Sequence, residues 1–135
     1  MELFGKHTPP IIQREEMLSK QVMIDLSRVK QLAGQNLLRV KSDAHNHVIH
    51  AAEAARQVQA MASGICYRNK APITEQEYLL ARRIWHELIE LEHITNPLAR
   101  GTPKISDVVV RINNILHQER QLISIEERCK PFVNT

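Results

Sequence analysis

Apolar residues recur along the chain at steps of three and four, the period of one face of an α-helix, and glycine and proline gather between these stretches. Residues 1–10 end in Pro9-Pro10 and read as an extended leader. The spacing predicts a first helix over Ile11–Ala33, stopped at Gly34, with Ile11, Leu18, Val22, Leu26, Val29 and Leu32 inward. A second helix is expected over Gln35–Ala62, ending at Ser63-Gly64. Its seam of Ala44, Val48, Ala51, Ala55, Val58 and Ala62 is small enough for a neighbouring helix to approach closely. Thr74-Glu75-Gln76-Glu77 has the spacing of a capping box, so Thr74 is expected to cap a third helix and Glu77 to reach back to it. That helix runs to Thr95, carries Tyr78, Ala81, Ile84, Trp85, Leu88 and Leu91 inward, and stops at Asn96-Pro97. Thr102-Pro103 opens a fourth, with Ile105, Val108, Val109, Ile112, Ile115, Leu116 and Ile123 on one face and fraying before Pro131.

No alternating stretch of useful length predicts a strand. Val108-Val109-Val110 favours β-structure, but the helical spacing continues through it. Four helices of roughly 30 to 40 Å with short connections predict an all-α fold, an antiparallel four-helix bundle over residues 11–130 with a short tail at 131–135.

Composition narrows the class. With 135 residues, 43% apolar and 24% charged, the chain is one globular domain, neither disordered nor collagen-like. It has no apolar run near the roughly 20 residues of a membrane span, and Met1–His7 contains no signal-peptide core. Cys66 and Cys129 lie far apart, which excludes a Cys-x-x-Cys redox motif and a cysteine-only zinc site. Two reduced, partly buried thiols in a cytoplasmic protein are expected.

Seven histidines invite a metal reading. Asp43, His47 and His50 share a face of the second helix, and His86, Glu90 and His93 a face of the third. Glu90 and His93 have the Glu-x-x-His spacing found in di-iron carboxylate bundles. Imidazole and carboxylate suit zinc or iron. The helical angle places the second set roughly 120 to 170° from the inward face, on the solvent side, and the first set at the edge of the alanine seam. Solvated or boundary histidines are therefore expected, with no cofactor assigned and a surface metal site as the alternative.

Catalytic motifs are few. Arg111 and His117 resemble the arginine–histidine spacing of HEPN-type ribonucleases, as do Arg39 and His45, although Ile112 and Val40 stand where that family usually has a polar residue. The resemblance implies His117 as acid or base and Arg111 as the group that stabilises phosphorane charge. There is no P-loop, Gly-x-Ser-x-Gly or His-Glu-x-x-His.

Charge is uneven: residues 28–70 carry seven basic residues against Asp43 and Glu53, and residues 75–92 five glutamates against Arg82 and Arg83. Arg39, Lys41, Arg56, Arg68 and Lys70 therefore form a candidate face for a nucleic-acid phosphate backbone. Apolar side chains off the inward faces carry the leading expectation. Met17 and Ile24, Leu79 and Ile94, and Val110 and Ile125 give three helices a second apolar patch. The expected function is a small non-enzymatic adaptor, regulatory or structural subunit acting through protein contacts or self-association. An accessory subunit of a nucleoprotein complex is the runner-up, and the ribonuclease and surface metal site are the remaining alternatives.

Overall fold

The computed structural model describes residues 8–38, 42–101 and 103–133. Four long helices, α1 (Pro10–Gly34), α2 (Asp43–Arg68), α3 (Pro72–Thr95) and α4 (Ile105–Arg128), are followed by a 3-10 turn, Lys130–Phe132. Each helix packs on the next, and α4 closes the ring on α1. Neighbours run antiparallel: Arg14 of α1 meets Gln57 in the second half of α2, while Asp25 meets His47 and His50 near its start. The expected all-α four-helix bundle is the fold.

The alanine seam of α2 is buried along its whole length, from Ala44 to Ala62. It forms one buried cluster with Val22, Leu26 and Val29 of α1, Ile84, Leu88 and Leu91 of α3, and Val108, Ile112 and Ile115 of α4. Each large aliphatic side chain fully removed from water contributes about 1.5–3 kcal/mol. On α1 the inward face is rotated at its start: Ile12 is buried, whereas Ile11 and Leu18 are half-buried. On α4, Leu122 fills the core beside a half-buried Ile123, and Ile105 is exposed.

Several helix ends differ from the sequence reading. α1 does stop at Gly34, but the left-handed residue is Asn36, with φ 59°. Asn36 N–H donates to the Ala33 carbonyl and Leu37 N–H to that of Leu32, which closes a Schellman motif around an asparagine. α2 begins at Asp43, not at Gln35, and runs through Ser63-Gly64 to Arg68. A glycine inside a helix costs only about 1 kcal/mol against alanine, and burial of Ala62 and Ile65 on either side outweighs it. α3 begins at Pro72, so Thr74 is not the cap but a first-turn residue. Its Oγ1 accepts the Ala71 N–H at 2.9 Å. Glu77 does not reach back to the helix start and is buried in the bundle. α4 starts at Ile105, past Pro103; the expected cap at Thr102 lies outside the described residues.

Cys66 and Cys129 are unbridged. Among the described residues no helix is long and apolar enough to cross a membrane. The core also holds polar groups: Glu15, Ser19, Glu77, Glu119 and Glu126 are buried toward one end. Glu15, Ser19, Glu77 and Glu126 stand between the main core and a smaller cluster of Ile12, Ile65 and Cys129, and Glu119 sits between Leu116 and Leu122 of the main core.

Candidate protein interface

A groove between α3 and α4 is built by helical spacing. On α3, Gln76, Leu79, Leu80 and Arg83 recur at steps of three and four, as do His117, Arg120, Ser124 and Arg128 on α4. Together with Gln121 and Ile125 they line a cleft of about 780 Å³. A second cleft, of about 640 Å³, continues the line toward the other end of the same two helices, between Glu87, Glu90 and Ile94 of α3 and Asp107, Val110, Arg111 and Asn114 of α4, with Pro103 and Lys104.

Four of the six apolar positions singled out in the sequence lie along this groove: Leu79 and Ile125 in the first cleft, Ile94 and Val110 in the second. Leu79 and Val110 are 53% and 58% exposed. Ile94 and Ile125 are half-buried, each packed against a core cluster. Met17 and Ile24 are also exposed, at 57% and 63%, but they project from α1. Ile24 lines a separate cleft of about 360 Å³ with Asp25, Arg28 and His47.

Charge divides the groove. Its first half carries Arg83, Arg120 and Arg128, and no acidic residue lines it. None of the three arginines has an ion pair or side-chain hydrogen bond among the described residues. The second half carries Glu87, Glu90 and Asp107 beside Lys104 and Arg111. There Glu90 accepts from Arg111 at 2.9 Å, and Glu87 accepts from Gln118 at 2.9 Å. Sequence reasoning missed Arg120 and Arg128, and counted Arg83 only against the glutamates around it, because it summed charge along the chain. The signal was the helical step from Arg120 to Arg128 on the face opposite Arg83.

The other candidate sites are dispersed. His47 and His50 do not converge with the exposed Asp43. Both direct Nδ1 at Asp25 of α1, at 3.0 and 2.6 Å, and Gln21 adds a third contact at 3.3 Å. His86 and His93 are exposed; His86 lies against Trp85 with ring centroids 5.3 Å apart, and Glu90 is engaged by Arg111. Arg111 is therefore drawn toward α3, while His117 faces the first cleft. Of the candidate phosphate contacts, Arg56 is held by Glu53 at 2.6 Å and Lys70 stands 4.0 Å from Glu75. Arg68 is exposed, and Arg39 and Lys41 lie outside the described residues.

Compared with models of protein families, with curated proteins and with solved structures, the chain finds no match in any of the three.

Proposed function

We propose that the protein is a non-enzymatic structural subunit that assembles through its α3–α4 face, with a second copy of the chain as the partner. The observation that carries this reading is the split groove: apolar side chains along its length, arginines in one half that are unpaired among the described residues, and in the other three carboxylates beside Lys104 and Arg111. Two such faces related by a twofold axis bring the arginine half of each copy over the carboxylate half of the other. The apolar positions then meet along the middle. This is the self-complementarity a twofold interface requires. Charge pairing of this kind fixes register and speeds encounter, and burial of Leu79 and Val110 supplies affinity.

Sedimentation equilibrium of the purified chain tests it. A dimer is expected, and a Leu79→Glu/Val110→Glu double variant is expected to sediment as a monomer with unchanged helical circular dichroism. A monomeric wild-type chain would sink the reading.

A second reading is favoured by Met17 and Ile24. These exposed side chains on α1 lie outside the groove and leave a patch for a different protein, so that the subunit serves as an adaptor. A Met17→Glu/Ile24→Glu variant that still dimerises, yet no longer retains proteins captured by the wild type, would separate the two surfaces.

A further inference from the structure

The polar layer near the end of the bundle has acceptors and almost no donors. Glu15 of α1, Glu77 of α3 and Glu126 of α4 are each fully buried. One carboxylate oxygen from each lies within 4.8 Å of those of the other two. Both oxygens of Glu15, both of Glu77 and Oε1 of Glu126 have no hydrogen-bond partner. The Ser19 hydroxyl serves Oε2 of Glu126, and the Cys129 thiol is directed at the Ile73 carbonyl.

An independent side chain points to the same place. Glu119, one helical step before Leu122 and outside the trio, is 1% exposed, and its Oε1 also lacks a partner. It sits between Leu116 and Leu122 of the main core, near enough to Glu126 for the two charges to act on each other. No lysine, arginine or histidine is among the buried polar residues described. Four carboxyl groups thus share the interior, and the cation that reaches Glu126, Lys20, is itself exposed to solvent. An uncompensated buried carboxylate is far costlier than a lost hydrogen bond, so the layer must take up positive charge, as protons or as a metal ion.

The geometry points to the metal ion: we propose that Glu15, Glu77 and Glu126 bind a hard divalent cation of the Mg²⁺, Mn²⁺ or Ca²⁺ class, two ionised carboxylates balancing its charge while Glu119 and one ligand carboxyl keep their protons. Three helices converge oxygens within the span of one coordination sphere. An all-oxygen donor set matches these cations rather than the softer metals that prefer imidazole or thiolate. Oxygens of Glu15 and Glu77 make no well-formed hydrogen bond, and an ion would displace only their contact with each other and that of the Cys129 thiol with Glu77. Because the site ties α1, α3 and α4 together and its carboxylates are sealed from solvent, the cation acts as an internal clasp on the bundle. This site is separate from the α3–α4 face and stands whether or not that face pairs.

The test uses the full chain, unfolded in urea with chelator and refolded with or without millimolar Mn²⁺, so that burial cannot block loading. One tightly held Mn²⁺ per chain is expected by electron paramagnetic resonance. Thermal unfolding is expected to rise by roughly 10 °C over the metal-free protein at saturating ion. Mg²⁺ and Ca²⁺ should compete for the site. Glu77→Gln and Glu126→Gln, which keep side-chain shape, should each lose the bound Mn²⁺ and the shift, while the exposed Glu75→Gln keeps both. A folded chain that binds none of the three ions overturns the proposal and leaves the layer to protons. Stoichiometric binding that survives both glutamine variants overturns it as well.

Discussion

The Ser19 hydroxyl on α1 donates to Oε2 of Glu126 on α4 at 2.8 Å, joining residues 107 positions apart. It is the buried side-chain bond that fastens the two ends of the chain within the carboxylate layer. Ser19→Ala leaves that oxygen without its donor and is expected to cost about 1–3 kcal/mol, read as a lower urea midpoint with an unchanged slope. The same bond favours the ionised carboxylate, so its loss should also move the Glu126 titration further above about 8, by carbon-detected NMR.

Burial above all raises Glu126 from 4.5 to about 8, and burial also raises Glu15, Glu77 and Glu119. The metal-free folded state therefore holds these protons more tightly than the unfolded chain does. Stability from this source is complete below about pH 4.5 and is lost as the pH rises toward 8, where Glu126 ionises in the folded state. Each such group contributes a slope of about 1.4 kcal/mol per pH unit across its window. Melting temperature in chelator should thus fall between pH 5 and 8, and saturating Mn²⁺ should flatten the decline. A melting temperature that climbs over this range in chelator would show that the folded carboxylates are already ionised.

Much of the bundle was legible because its core is apolar and periodic: every residue of the α2 seam named from spacing is buried. The carboxylate layer was not, because a count of apolar residues passes over it. Glu15 and Ser19 occupy the helical steps between Ile12 and Val22, and Glu119 and Glu126 those between Leu116 and Cys129. They look like gaps in the stripe although they lie on its lattice. Glu77 was hidden by a competing pattern, since Thr74-x-x-Glu77 is equally the spelling of a helix cap. What reassigns it is Pro72: proline suits the first turn of a helix, which moves the start two residues upstream. The groove was half visible, as apolar positions on two helices whose adjacency no spacing reveals.

Thr74 and Glu77 can be told apart by their variants. Thr74 Oγ1 accepts from Ala71 N–H and can donate to the Asn69 carbonyl at 2.8 Å. Thr74→Val keeps the shape and removes both contacts, at an expected cost of about 0.5–2 kcal/mol. Glu77→Gln should act the other way in metal-free protein at neutral pH and raise the melting temperature by removing a buried ionisable group. A cap partner would show no such gain, since glutamine serves a capping box as glutamate does, so a raised melting temperature in differential scanning calorimetry marks the buried role.

The split groove predicts a charge exchange. Arg83→Glu/Arg120→Glu places like charges opposite Glu87, Glu90 and Asp107 of the second copy and should weaken dimerisation by about 30-fold or more. Adding Glu87→Arg/Asp107→Arg to the same chain restores opposite signs and should recover most of the affinity. Wild-type association should also weaken with added salt, since these charges lie at the surface. Sedimentation of the three proteins at two ionic strengths checks both effects, and failure of the fourfold variant to recover would count against the proposed register.

Asp25 offers a test of which side of a contact carries its cost. Its carboxylate is buried between α1 and α2 and meets His47, His50 and Gln21, whereas both imidazoles reach solvent. Removing the histidines strands a charge in the interior; removing the carboxylate frees two rings that water can solvate. Leaving a buried charged group unpaired costs its full desolvation, about 3–5 kcal/mol when a charge loses its partners. His47→Ala/His50→Ala should therefore approach that range, and Asp25→Ala should cost less, about 1–2 kcal/mol. Making all three changes together should be milder than the sum of the two sets, because the stranded carboxylate is gone. Urea denaturation of the three variants completes the cycle, and simple additivity would mean that Asp25 draws no stability from the histidines.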